Sequence, residues 1–145
     1  MVLHTASEVI SLSRKLENDS AGFYENLAQR YNEAAEAFLS FARDNRKNIS
    51  QIERAYYGVI SDAIEGAFAF NIDADDYSLN TVIKDGANYS DVLEQALETE
   101  KTIIKFYSDA AEQSKSLMAD VPRSFTMVAR KRESRILQLG SLLAN

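Results

Sequence analysis

Apolar residues recur at three- and four-residue steps in four long stretches of the chain, which is the period of an amphipathic α-helix. The first stretch begins after Thr5, which forms a capping-box pattern with Glu8, and it predicts a helix from about residue 6 to about residue 32. Its apolar positions include Val9, Leu12, Leu16, Phe23, Leu27 and Tyr31. The second stretch carries Ala35, Phe38, Phe41, Ala42, Ile49, Ile52 and Tyr56. Because the joint between them is short, we predict an antiparallel hairpin.

This period is lost between Ala63 and Asn88, where turn-forming residues such as Asp85-Gly86 accumulate. The same region holds an apolar patch, Ala67-Phe68-Ala69-Phe70, and an acidic cluster, Asp73, Asp75 and Asp76. We interpret it as a long crossover, with a short helix as an open possibility inside it.

Two further periodic stretches predict a second hairpin. Ser90, with Asp91 in the first turn, is expected to start the third helix, and Pro122 fits the first turn of the fourth. The apolar positions of these helices include Val92, Leu93, Leu97, Ile103, Ile104, Phe106, Tyr107, Phe125, Val128, Ala129, Ile136, Leu139 and Leu143. The predicted fold is all-α, an antiparallel four-helix bundle of two hairpins joined by a long crossover, in a single domain spanning residues 1–145.

Composition narrows the possible functions. The 145 residues include no cysteine, which excludes a disulfide framework, a thiolate metal site and a thiol nucleophile. The absence of a secretory leader pattern and of a long apolar run predicts a soluble, cytoplasmic protein with no membrane partner. The net charge of −6 makes nucleic acid an unfavourable partner.

An internal repeat relates the two hairpins. Glu17 is followed by Phe23-Tyr24 at the same spacings at which Glu100 is followed by Phe106-Tyr107. In the second helix of each hairpin, Asn45 and Asn48 correspond to Arg132 and Arg135 among apolar residues at identical offsets. The first and third helices therefore correspond, as do the second and fourth.

This arrangement resembles the ferritin-like superfamily over essentially the whole chain, and in particular the short rubrerythrin-like proteins that have no rubredoxin domain. The resemblance implies that the first and third helices each supply one glutamate to a di-iron centre, and that the second and fourth each supply Glu-x-x-His. Glu17 and Glu100 stand at the positions implied for the first two carboxylates.

The other four positions depart from this pattern. The second helix reads Asn45-Arg46-Lys47-Asn48, and the fourth reads Arg132-Glu133-Ser134-Arg135. A register shifted by one residue would place Lys131 and Ser134 there instead. The chain's one histidine, His4, precedes the first helix, so we expect no imidazole ligand inside the bundle.

The six corresponding positions are Glu17, Asn45, Asn48, Glu100, Arg132 and Arg135, whose formal charges cancel without any metal ion. Buried charges must be paired or coordinated, and a guanidinium group can bind a carboxylate through two hydrogen bonds. We therefore predict that the two arginines pair with the two glutamates in the space that iron would otherwise occupy.

Other candidate residues have simpler explanations. Tyr24 and Tyr107 could be redox-active, although core tyrosines with a satisfied hydroxyl are the commoner case. The acidic cluster lacks the glycine and glutamate of a calcium loop, which favours capping aspartates.

In the basic run Arg130, Lys131, Arg132 and Arg135, an amphipathic helix would point the first two residues outward and the last two inward. The aromatic residues Phe68, Phe70, Tyr56 and Tyr57 could form a protein interface or cover one end of the bundle, and the sequence does not separate these two possibilities.

Two functions are compatible with these patterns. The favoured one is a non-catalytic binding or assembly protein that has lost its di-iron site, binds no cofactor and forms a homodimer. The alternative is a di-iron oxidoreductase of the peroxidase or ferroxidase type, with iron in a rearranged site and an external reductant. Nucleophilic catalysis has no support, because a Ser-His pair would depend on His4.

Overall fold

The computed structural model describes residues 1–59, 69–117 and 120–145. Most of these residues lie in four long helices: α1 (Ala6–Arg30), α2 (Ala35–Val59), α3 (Tyr89–Gln113) and α4 (Asp120–Ala144). The predicted α-helical architecture is confirmed for this part of the chain. In these ranges no helix combines the length and the apolar character that crossing a membrane requires.

The first hairpin begins as its sequence predicts. Thr5 is the N-cap of α1, where its hydroxyl accepts the Glu8 amide at 3.2 Å and the Glu8 carboxylate accepts the Thr5 amide at 3.1 Å. The helix ends at Arg30, two residues earlier than predicted, because Tyr31 is extended with φ of −128°. A 3₁₀ turn, Asn32–Ala34, then leads directly into α2.

The start of α3 differs from the prediction. The N-cap is Asn88 and not Ser90, which lies inside the first turn. The Asn88 side chain accepts the Asp91 amide at 2.8 Å, and the Asp91 carboxylate accepts the Asn88 amide at 3.2 Å. This reciprocal pair satisfies two backbone donors at once, which a serine cap at position 90 would not do. Pro122 lies in the first turn of α4, as predicted.

The described part of the crossover begins at residue 69, so the predictions about Ala67 and Phe68 lie outside the described residues. Two short antiparallel strands, β1 (Val2–Leu3) and β2 (Ile72–Asp73), pair through Val2 with Asp73 and Leu3 with Ile72. A 3₁₀ turn, Ala74–Tyr77, follows β2. Gly86 forms the predicted turn with a positive φ of 78°, a conformation that glycine adopts without strain.

Two apolar clusters show how the helices run. The first cluster joins the N-terminal halves of α1 and α4 to the C-terminal halves of α2 and α3, and the second joins the opposite halves. Each helix is therefore antiparallel to both of its neighbours. Phe70, Ile72 and Tyr77 of the crossover cover the first cluster, and Ile83 reaches the second. The crossover thus passes from one end of the four helices to the other.

Candidate functional site

A belt of polar side chains separates the two apolar clusters. On α1 it lies between Leu16 of the first cluster and Ala21 of the second, and on the other three helices it occupies the equivalent middle turns. All six residues that the sequence singles out lie there and are 0–4% exposed: Glu17, Asn45, Asn48, Glu100, Arg132 and Arg135. We call these six residues the polar cluster.

The structure resolves the register of α4. Arg132 is fully buried and Arg135 is 4% exposed, whereas Arg130, Lys131 and Ser134 are exposed. The shifted register is therefore wrong, and the basic run divides between interior and surface as an amphipathic helix requires.

Arg132 connects the two hairpins, because one of its terminal nitrogens bonds a carboxylate of its own hairpin and the other bonds a carboxylate of the first hairpin. Nη1 donates to Oε1 of Glu100 at 2.7 Å, and Nη2 donates to Oε2 of Glu17. The guanidinium group thus lies between a carboxylate from α1 and a carboxylate from α3, where the sequence predicts ion pairs. Each bond joins two charged groups, which makes it stronger than a neutral hydrogen bond.

Arg135 anchors the side of the cluster nearer to α2. Its Nη1 donates to Oδ1 of Asn45 at 2.7 Å and to Oε2 of Glu100 at 3.4 Å, and its Nη2 donates to the Phe41 carbonyl at 3.2 Å. The guanidinium carbon also lies 4.8 Å from the Phe41 ring centroid and 5.3 Å from that of Tyr24. Arg135 therefore combines an ion pair, amide contacts and two cation–π contacts.

The two asparagines complete the surroundings of Glu17. Nδ2 of Asn48 donates to Oε1 of Glu17 at 3.0 Å, and Nδ2 of Asn45 donates to the Glu17 backbone carbonyl at 3.3 Å. Their spacing of three residues on α2 places both amides on the same side of that helix. One amide therefore donates to a carboxylate oxygen and the other to a backbone carbonyl oxygen.

Two tyrosines complete the network, and their buried, satisfied hydroxyls are as the sequence predicts, whereas the partners of those hydroxyls were not predicted. The Tyr24 hydroxyl of the first hairpin donates to Glu100 of the second at 2.6 Å, and the Tyr107 hydroxyl of the second donates to Glu17 of the first at 3.0 Å. Ser13 bonds the Tyr107 hydroxyl at 3.0 Å. The sequence carries a sign of these contacts, because Tyr24 follows Glu17 and Tyr107 follows Glu100 at the same spacing of seven residues.

Burial, and then the neighbouring carboxylate, raise the pKa of Tyr24 and of Tyr107 well above the usual value. Both hydroxyls therefore keep their protons and act as donors. This geometry is that of buried tyrosines with satisfied hydroxyl groups.

Neighbouring charges favour the ionised forms of Glu100 and Arg132. Burial by itself would raise the pKa of Glu100, but Arg132, Arg135 and the Tyr24 hydroxyl lower it below the usual value. Burial would likewise lower the pKa of Arg132, yet Glu100 and Glu17 raise it above the usual value. The formal charges of the two carboxylates and the two guanidinium groups cancel within the cluster.

The donor set of the polar cluster does not fit a di-iron centre. Guanidinium groups offer no lone pair to a metal ion and repel it by their charge. In the described ranges, no three His, Cys, Asp or Glu side chains come together as a metal site would require. Among the described residues, three buried side-chain atoms make no hydrogen bond: Ser20 Oγ, Asn48 Oδ1 and Arg132 Nε. One hydroxyl and one amide oxygen, in an interior that holds two guanidinium groups, are a poor start for a metal site.

The other sequence candidates lie away from the polar cluster. His4 is at the junction of β1 and α1, where Nδ1 is 3.1 Å from the Phe70 carbonyl. Asp73 caps the 3₁₀ turn, accepting the Asp75 amide at 3.0 Å, which confirms the capping interpretation. Phe70 and Tyr56 are buried in the first apolar cluster, which agrees with the interpretation that the aromatic residues cover one end of the bundle. Tyr57, by contrast, is 57% exposed.

Comparison with protein-family models, with curated proteins and with solved structures gives no match for this chain. Inferences about its function therefore depend on the polar cluster and on the surface around it.

Proposed function

We propose that the chain is a single ferritin-like domain in which an arginine–glutamate network replaces the di-iron centre, and that it acts as a non-catalytic binding or assembly protein. One observation carries this proposal. The Arg132 guanidinium lies between Glu17 and Glu100, which are the two carboxylates that would bind metal in the family the sequence resembles. The three-residue spacing of both Asn45–Asn48 and Arg132–Arg135 matches that of Glu-x-x-His, which supports the same correspondence.

The network also explains how such a bundle would stay folded without metal. A full ligand set of four carboxylates needs bound cations to offset its charge. Here the guanidinium groups supply the positive charge from the chain itself, so the interior is balanced in the metal-free state. A di-iron oxidoreductase with a rearranged site is disfavoured, because the metal would have to displace Arg132 from both of its carboxylates.

Metal content tests the proposal. Protein produced in iron-rich medium and then incubated anaerobically with ferrous salt should hold far less than one iron per chain by elemental analysis. A matched variant restores the implied ligands through Asn45→Glu, Asn48→His, Arg132→Glu and Arg135→His. If the correspondence with the ferritin-like site is right, this variant should bind about two iron ions per chain.

Each of these two iron measurements has a result that would contradict the proposal. About two irons bound to the unmodified chain would overturn the metal-free proposal. A restored variant that folds, as judged by circular dichroism, and still binds no iron would overturn the ferritin-like correspondence. Because the restored variant carries excess negative charge without metal, its folding is measured in the presence and absence of ferrous ion.

A further inference from the structure

A groove runs along the surface seam between α2 and α4. Its central cleft, of about 640 Å³, is continuous with a cleft of about 390 Å³ through Lys47 and Lys131, and with one of about 280 Å³ through Arg54 and Met127. From Phe41 at one end to Ala55 at the other, the groove follows α2 for about 21 Å, at the rise of 1.5 Å per residue.

Five exposed cations line this groove, and one of them, Arg46, is paired with Glu25. The other four form two pairs across the groove: Lys47 with Lys131, and Arg54 with Arg123. The two pairs lie seven positions apart on α2 and eight positions apart on α4, a distance of about 10–12 Å along the groove. Met127 lies midway between Arg123 and Lys131 on α4, and its side chain is 43% exposed. The groove therefore presents positive charge, an apolar contact and positive charge again.

None of the four cations in these two pairs forms a salt bridge within the described part of the chain. Lys131 instead donates to the neutral Gln51 amide oxygen at 2.7 Å. Many other basic residues of the surface are paired, as in Arg14–Glu53, Lys15–Asp19, Arg46–Glu25, Lys101–Glu98, Lys105–Asp109 and Lys115–Glu112. Against these four cations the groove holds the two carboxylates of Asp44 and Asp120, so positive charge is in excess there although the chain has a net charge of −6. Such a surface is complementary to an anionic partner.

We propose that this groove binds an acidic segment of a protein partner, one that presents carboxylates on both sides of an apolar side chain. An extended peptide places residues i, i+2 and i+4 on one face and spans about 13 Å between the outer two, which matches the spacing of the cation pairs. Carboxylates would then meet the two cation pairs while the central apolar side chain packs on Met127.

Nucleic acid fits the same groove less well. Asp44 lines one end and Asp120 the other, so a phosphate backbone that continues past the groove would meet carboxylates. The charge of the whole chain also opposes a long polyanion. A short acidic segment ends before either aspartate and buries the exposed thioether.

Fluorescence anisotropy with a labelled peptide tests this proposal. The peptide carries glutamate, leucine and glutamate at alternate positions, and we expect saturable binding that weakens as salt rises. The double variant Arg54→Glu with Lys131→Glu should weaken binding by at least about tenfold. The matched control, Arg30→Glu with Lys84→Glu, changes the net charge equally at exposed positions outside the groove and should change affinity by less than about twofold.

Three results would overturn the proposal. One is unchanged affinity in the double variant, another is equal binding of a peptide with glutamines in place of the glutamates, and the third is tighter binding of a single-stranded oligonucleotide of the same charge. The groove variants leave the polar cluster intact, so this test is independent of the metal measurement: iron in the unmodified chain would overturn the proposed function without affecting the groove.

Discussion

The two hairpins share one internal repeat, yet they contribute opposite charge to the interior that they enclose. The first hairpin contributes Glu17 and two neutral asparagines, whereas the second contributes Glu100 and two arginines. Each hairpin alone would bury uncompensated charge, and the charges cancel only when both are packed together.

The contacts between the two hairpins show the consequence of this difference in charge. Arg132 of the second hairpin reaches Glu17 of the first, and each hairpin's tyrosine donates to the other hairpin's glutamate. A slip of one helix past its neighbour would break several of these bonds at once. We infer that the charge asymmetry fixes the register of the two hairpins in addition to balancing the charge of the interior.

Removing the central guanidinium should have the largest effect. Arg132→Met leaves Glu17 and Glu100 buried with fewer partners, so the free energy of unfolding should fall by about 3–5 kcal/mol in urea denaturation. Arg130→Met is the matched control, since Arg130 is exposed on the same helix. Equal stability of the two variants would mean that Arg132 does not hold the hairpins together.

Removing the second hairpin's carboxylate should cost somewhat less and depend on pH. Glu100→Gln should lower the free energy of unfolding by about 3 kcal/mol near neutral pH, because Arg135 then loses its carboxylate partner and Arg132 keeps only Glu17. The folded-state pKa of Glu100 lies below its ordinary value of 4.5, so its contribution is present above that value and is lost as pH falls through the folded-state pKa.

Urea denaturation of the unmodified chain and of Glu100→Gln between neutral and acid pH checks this expectation. The stability difference between the two proteins should shrink as the pH falls. A difference that stays constant across the acid range would show that Glu100 is not an ionised partner of the arginines.

The two tyrosines offer a finer comparison of the hairpins. Tyr24→Phe and Tyr107→Phe each remove one hydrogen bond to a carboxylate, which should cost about 2 kcal/mol. Tyr107→Phe should cost more, because the buried Ser13 hydroxyl loses its partner as well. Thermal or urea denaturation measures both variants, and a larger effect for Tyr24→Phe would contradict the hydrogen bonding described above.

An exposed ion pair should have the smallest effect. Arg14 pairs with Glu53 at 2.7 Å, with side chains 43% and 26% exposed. Arg14→Gln should change the free energy of unfolding by less than about 1 kcal/mol, because water and salt screen the pair. A cost comparable to that of Arg132→Met would remove the distinction between buried and exposed pairs.

The sequence predicts the polar cluster well because the internal repeat supplies positions that helical periodicity alone would not. It identifies the six side chains and the pairing of arginine with glutamate. It does not say which tyrosine bonds which glutamate, since that depends on how the hairpins pack together. The choice between Asn88 and Ser90 as N-cap is likewise decided by the reciprocal bond to Asp91. The β1–β2 pair, two residues in each strand, is too short to leave a period in the sequence.

The most direct test of the central claim is a crystal structure of protein exposed to ferrous salt, with an anomalous difference map recorded at the iron edge. We predict continuous density for the Arg132 guanidinium between Glu17 and Glu100, with no anomalous peak at that position. An iron peak bridging the two carboxylates, with Arg132 displaced, would contradict the claim that arginine has taken the place of the metal.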